Sequence, residues 1–168
     1  MIPSIVIMGV AGCGKSSLGV AVAAVTGQRL LEGDDYHSPQ SKAKMSQGVA
    51  LLDADREGWL GLLAGELRAH AGGLVLTCSA LKKSYRDRLR NAAPGLRFVY
   101  LEISREEALA RVEARAAQHF FSTSLVDSQF ATLESPLGEP GVLGVDATAP
   151  LAQLQTQVAA WMTDKDNA

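Results

Sequence analysis

The chain has 168 residues, of which 47% are hydrophobic and 20% charged, with a formal net charge of −2. That length supports one domain with a real core and is too short for two comfortable ones, and the near-neutral balance gives no field to attract a polyanion such as DNA. No run approaches the roughly 20 apolar residues that cross a bilayer, and the N-terminus lacks the basic region of a secretory signal, so the expectation is a cytoplasmic domain with no membrane or nucleic-acid partner.

Ile5-Val6-Ile7-Met8 is a short apolar run that reads as a buried strand. It leads into Gly9-Val10-Ala11-Gly12-Cys13-Gly14-Lys15-Ser16, which fits G-x-x-x-x-G-K-[ST] and is followed over residues 17–25 by an Ala/Val/Leu-rich helix. Gly9, Gly12 and Gly14 can take positive φ and turn successive N–H groups inward, and the helix adds its free N-terminal donors. Lys15 supplies a cation for the β- and γ-phosphates, and the Ser16 hydroxyl is placed to ligate Mg²⁺. The expected nucleotide-binding set is Gly9, Gly12, Cys13, Gly14, Lys15, Ser16 and Ser17, with ATP as the nucleotide. Cys13 and Cys78 have no metal-like spacing and read as reduced thiols.

Residues 28–32 form a second strand after the helix stop at Gly27, and Glu32 at its end could order Mg²⁺ through water. The acidic loop Glu32-Gly33-Asp34-Asp35-Tyr36-His37 then faces the phosphate loop. Residues 55–70 read as a helix capped by Asp53 or Asp55, with Trp59, Leu63 and Leu67 on one face and Trp59 in the core. Residues 74–78 are a continuous apolar strand, residues 82–91 a basic helix, and residues 97–103 a fourth strand. Ser104 and Glu107 form a capping box opening a helix to about residue 117. A short helix over 125–133, a fifth strand over 142–145, a closing helix over 150–162 and a frayed tail complete the chain. Strands alternating with helices predict an α/β three-layer P-loop domain, residues 1–168, with a parallel sheet and helices on both faces. Ligands in such sheets sit beyond the carboxyl ends of the strands.

A GTPase is excluded: Asp55-Arg56-Glu57-Gly58 matches D-x-x-G, but no strand precedes it and no N-K-x-D exists. Val142-Leu143-Gly144-Val145-Asp146 has the form of a motor-ATPase acidic strand, yet it is the last strand, which places Asp146 near the base. The small size and the charges favour a small-molecule kinase, which needs an acceptor pocket, a carboxylate for the hydroxyl proton and cations around the moving charge.

Gly33-Asp34-Asp35-Tyr36-His37, Lys44-Met45, Asp53-Ala54-Asp55-Arg56 and Cys78-Ser79-Ala80-Leu81-Lys82-Lys83-Ser84-Tyr85-Arg86-Asp87 make the chain resemble the gluconokinases. Arg111, Arg115, His119-Phe120-Phe121 and Ser128-Gln129-Phe130-Ala131-Thr132-Leu133-Glu134 extend the resemblance over roughly residues 4–150. The resemblance implies phosphorylation of D-gluconate to 6-phosphogluconate with Mg²⁺-ATP, a five-stranded sheet in the order 2-3-1-4-5, and a homodimer. It implies a substrate-binding insert at about 34–60 and a small lid at about 111–130. Asp34 would be the base at the acceptor hydroxyl, with Lys15, Arg111 and Arg115 acting on the transferring phosphoryl or the nucleotide. His37, Lys44, Arg56, Ser79, Lys82, Arg86 and Gln129 would line the gluconate pocket.

By spacing alone, Lys44 and Lys82 also read as solvated lysines, and Arg111 and Arg115 as an exposed helix face. The chain departs from the family pattern at Ser38-Pro39, Ser41, Ala50 and Gly58, and by one extra residue between Arg115 and His119. A shikimate- or nucleoside-monophosphate-kinase-like enzyme and a non-catalytic ATP-binding regulator remain the alternatives.

Overall fold

A computed structural model describes residues 2–116 and 123–167. Five parallel strands, β1 (Ile5–Met8), β2 (Arg29–Glu32), β3 (Leu74–Thr77), β4 (Arg97–Glu102) and β5 (Val142–Asp146), form one sheet in the order β2-β3-β1-β4-β5. Ile5 pairs with Val75 on one side and Arg97 on the other, so β1 is central and its four residues are all buried.

The period-two alternation of strand side chains divides the core into two layers. Ile5, Ile7, Val75, Val99 and Leu101 face α1 (Lys15–Thr26), α5 (Arg105–Ala116) and α7 (Leu151–Thr163). Val6, Met8, Leu74, Leu76 and Phe98 face α3 (Asp53–Ala69) and α4 (Lys83–Ala92), from which Leu60, Leu63, Leu67 and Leu89 enter the second layer. The three-layer architecture and strand order expected from the resemblance are those of the molecule.

The remaining helices flank the carboxyl ends of the strands: α2 (Pro39–Ser46) and α6 (Ser124–Thr132). Helix α2 carries no helical signal in its residues, because Pro39–Ser46 is polar and lacks an apolar stripe; the Ser38 hydroxyl caps it by accepting the Ser41 N–H at 3.1 Å. Neither Asp53 nor Asp55 occupies the cap of α3. Leu52 does, and Asp55, three residues on, accepts the Leu52 N–H at 2.8 Å, the acidic half of a capping box. The tail does not simply fray: Lys165–Asn167 form a 3₁₀ turn, and Arg97 donates to the Asp164 carbonyl at 3.3 Å.

Candidate active site

The turn from β1 to α1 winds through Gly9, Gly12 and Gly14 at φ of 147°, 82° and 96°. A Cβ on Gly9 would lie 2.7 Å from Cys13 Sγ, and one on Gly12 2.9 Å from the Ala108 carbonyl, so only glycine closes the loop at this radius. Gly14 in the left-handed region caps α1 without a side-chain acceptor, leaving the helix's first N–H groups free for an anion. The Lys15 ammonium donates to the Gly9 and Val10 carbonyls at 3.0 and 3.2 Å.

Beyond the loop, the Ser16 and Thr77 hydroxyls both donate to Glu32 Oε2, at 3.0 and 2.5 Å. Glu32 and Thr77 are register partners at the ends of β2 and β3. A hydroxyl beside a carboxylate is a hard oxygen set that fits Mg²⁺. Among the described residues no group of three or more His, Cys, Asp or Glu side chains could hold a metal.

A cavity of about 260 Å³ opens above the loop, with Gly12, Gly14, Lys15 and Ser16 as its floor. Its far wall carries Asp34, His37, Arg56 and Ser79, and α5 and α6 close it with Arg115, Ser128 and Gln129. Asp34 and His37 come from the turn at the end of β2, a 3₁₀ helix over Gly33–Tyr36. Gly33 anchors that turn: its carbonyl accepts Trp59 Nε1 at 2.7 Å, and a Cβ there would meet the Thr77 carbonyl oxygen at 2.2 Å.

The Asp34 carboxylate is 78% exposed and stands 3.7 Å from His37 Nε2. His37 stacks on Trp59 with ring centroids 4.2 Å apart, and its Nδ1 is buried with no partner among the described residues. Burial pushes its pKa below the usual 6.5; Asp34 opposes that shift, while Arg56 and Lys42 add to it, so the ring is neutral near pH 7. Trp59 is therefore core, as expected, and also the platform for a cavity-lining imidazole. Arg56 is buried, with Nη1 donating to the Leu51 carbonyl at 3.0 Å and to the Tyr85 hydroxyl at 3.4 Å. Its remaining donors are unpaired among the described residues, in the cavity wall.

Other expected residues stand behind the wall. Lys44 is paired with Asp55 at 2.9 Å, and Lys82 with Asp53 at 2.9 Å, where the Tyr85 hydroxyl also donates. That Tyr85 bond, then Lys82, holds the Asp53 carboxyl below the usual carboxylate range. Arg111 is turned to the rear of the phosphate loop, donating to the Gly12 and Cys13 carbonyls at 3.4 Å each and to Ala147 at 3.0 Å. The Cys13 side chain is buried in the core rather than in the cavity, and Ser17 is exposed on α1. His119 and the middle of the expected lid lie outside the described residues.

Arg86 is the correction. It does not face the cavity; its side chain is wholly buried and every guanidinium nitrogen is bonded within the protein. Nε and Nη2 form a fork on Glu139 at 2.9 Å each, Nη1 donates to the Ala80 and Leu81 carbonyls, and Nη2 also donates to the Glu134 carbonyl. This latch holds the turn that carries Ser79, where Ala80 sits at φ 47°. Sequence reasoning missed Glu139, 53 residues away from its partner, and assigned no role to Thr77, whose only signal is its register position opposite Glu32.

Residues 5–140 match the family described as an AAA domain. Gluconokinase from Gluconobacter oxydans is 44% identical over 144 residues, covering 84% of this chain and 80% of that protein. The thermosensitive gluconokinase of Escherichia coli is 38% identical, covering 92% and 84%. Among solved structures, a gluconokinase from Sinorhizobium meliloti superposes with a TM-score of 0.88 at 43% identity, covering 96% and 91% of the two chains. An unliganded sugar kinase from a Janibacter species superposes at 0.91 with 37% identity, covering 100% and 96%.

Proposed function

The chain belongs to the gluconokinase family of P-loop proteins, and from that premise we propose that it transfers the γ-phosphoryl group of ATP to the terminal hydroxyl of D-gluconate, yielding 6-phospho-D-gluconate. The observation that carries this reading is the single cavity in which the phosphate loop faces Asp34 and Arg56. Donor and acceptor then meet in one enclosed space, as in-line transfer requires.

The roles follow from the placement. The loop N–H groups and Lys15 hold the β- and γ-phosphates, and Arg115, one turn beyond Arg111, offers a cation from the opposite wall. Ser16, oriented by Glu32, would be the protein ligand for Mg²⁺, which when bound would offset phosphate charge. Asp34 accepts the proton of the attacking hydroxyl, its exposed carboxylate reaching into the cavity. Arg56 presents an open guanidinium edge that suits the substrate carboxylate, and His37, Ser79 and Gln129 supply the mixed donors and acceptors that a polyhydroxylated chain needs. Lys44, Lys82 and Arg86 support this wall through Asp55, Asp53 and Glu139. Arg111 acts on the loop itself. The homodimer implied by the resemblance and the cytoplasmic location expected from the sequence belong to the same proposal.

Replacing Asp34 tests the reading. Asp34→Asn should lower gluconate-dependent kcat by at least about 100-fold while leaving the KM for ATP within about threefold. An unchanged rate would remove Asp34 from its role. No gluconate-dependent ADP from the unaltered protein would favour another acceptor or a non-catalytic ATP-binding regulator.

A further inference from the structure

The orientation of the Gln129 carboxamide is dictated by its partner. The Ala11 backbone N–H is received by Gln129 Oε1 at 2.6 Å. Only the oxygen of a carboxamide can accept an N–H, so the amide nitrogen is the end left over. That nitrogen has no partner among the described residues, and Gln129 forms part of the cavity wall. Ala11 belongs to the phosphate loop, immediately before Gly12.

The other end of the same helix reaches the acceptor half. At the start of α6 the Ser124 hydroxyl donates to the Gly48 carbonyl at 3.1 Å, in the strap between α2 and α3. Arg105 at the start of α5 pairs with Asp127 at 2.5 Å, linking α6 to α5. The helix therefore touches the donor loop through Gln129 and the acceptor strap through Ser124.

We propose that Gln129 is a positioning residue that sets the phosphate loop in register with the acceptor. Its Oε1 fixes the loop at Ala11, and its amide nitrogen offers a donor on the cavity side, where the acceptor hydroxyl and the γ-phosphoryl group come together. The inference rests on the gluconokinase reading and adds to it a coupling between the two half-sites. In-line transfer requires the reacting atoms about 3–3.5 Å apart, and a drift of about 1 Å costs on the order of 100-fold in rate.

Two variants separate the ends of the amide. Gln129→Met keeps the length and removes both polar ends; Gln129→Glu keeps an acceptor for the Ala11 N–H but removes the donor and places an anion before an anionic substrate. Both substitutes are good helix formers, so α6 is retained. Steady-state kinetics with ATP, Mg²⁺ and gluconate should show kcat of Gln129→Met reduced about 10- to 100-fold, with each KM within about threefold. Gln129→Glu should retain more of kcat and raise the KM for gluconate about tenfold. Kinetic constants of Gln129→Met within twofold of the unaltered protein would overturn the proposal, as would two variants that change only the KM for gluconate, and by the same amount. Failure of the unaltered protein to phosphorylate gluconate would instead overturn the functional reading.

Discussion

Asp34 and His37 project from a single 3₁₀ turn, and the chemistry of each depends on how the other is held. The carboxylate is exposed and free to take a proton, while the imidazole is clamped between Trp59 and the protein interior. Burial depresses the His37 pKa, so in the folded state the ring resists protonation that the unfolded chain accepts near pH 6.5. The stability this neutral ring contributes is present above about pH 6.5 and is lost as pH falls toward the folded value. His37→Asn removes the titration. The difference in unfolding free energy between the unaltered protein and the variant should shrink between pH 7.5 and 5.5 in urea titrations; a difference constant over that range would show that His37 is not held neutral by burial.

At the scale of elements, the acceptor wall depends on contacts distant in sequence. Arg86 on α4 grips the turn after β3 and the segment after α6 together, through Glu139 and three carbonyls. Burial alone would raise the Glu139 carboxyl, but Arg86 and Arg90 outweigh it and hold the group below its usual range. Arg86→Met would leave Glu139, 11% exposed, with one of its two arginine partners removed. Breaking such a pair costs about 3–5 kcal/mol, and urea denaturation should show a loss of that order. A loss below about 1 kcal/mol would mean that the fork on Glu139 does not secure the turn.

These long-range contacts also mark where the sequence becomes hard to read. The phosphate loop was legible because its glycines, Lys15 and Ser16 act at fixed local spacing. The strands were legible because buried parallel strands are continuous apolar runs. Arg86 was not: a basic residue on a basic helix looks the same whether it meets a ligand or a carboxylate 53 residues away. The pairing of Lys44 with Asp55 and of Lys82 with Asp53 is hidden for the same reason. The helix α2 left no trace in hydrophobic periodicity because it buries only Ser41.

Across the whole molecule, the strand order places β1 between β3 and β4, so the loop after β1 opens between the ends of its neighbours. The acceptor residues arrive from the β2 side, through Asp34, His37 and Arg56, and from the β3 end, through Ser79. The closing residues Arg115 and Gln129 arrive from α5 and α6, after β4. The acceptor wall and the closing residues thus come from opposite sides of one central strand and face the phosphate loop across a common cavity. The most direct test of that arrangement is a comparison of kcat/KM for gluconate, shikimate and a nucleoside monophosphate as acceptors, with ATP and Mg²⁺. Gluconate should exceed both others by at least about 100-fold, because its carboxylate suits the open guanidinium and its longer open chain of hydroxyls suits the polar wall better than a ring with fewer of them. A higher kcat/KM for shikimate or for the nucleotide would contradict the account.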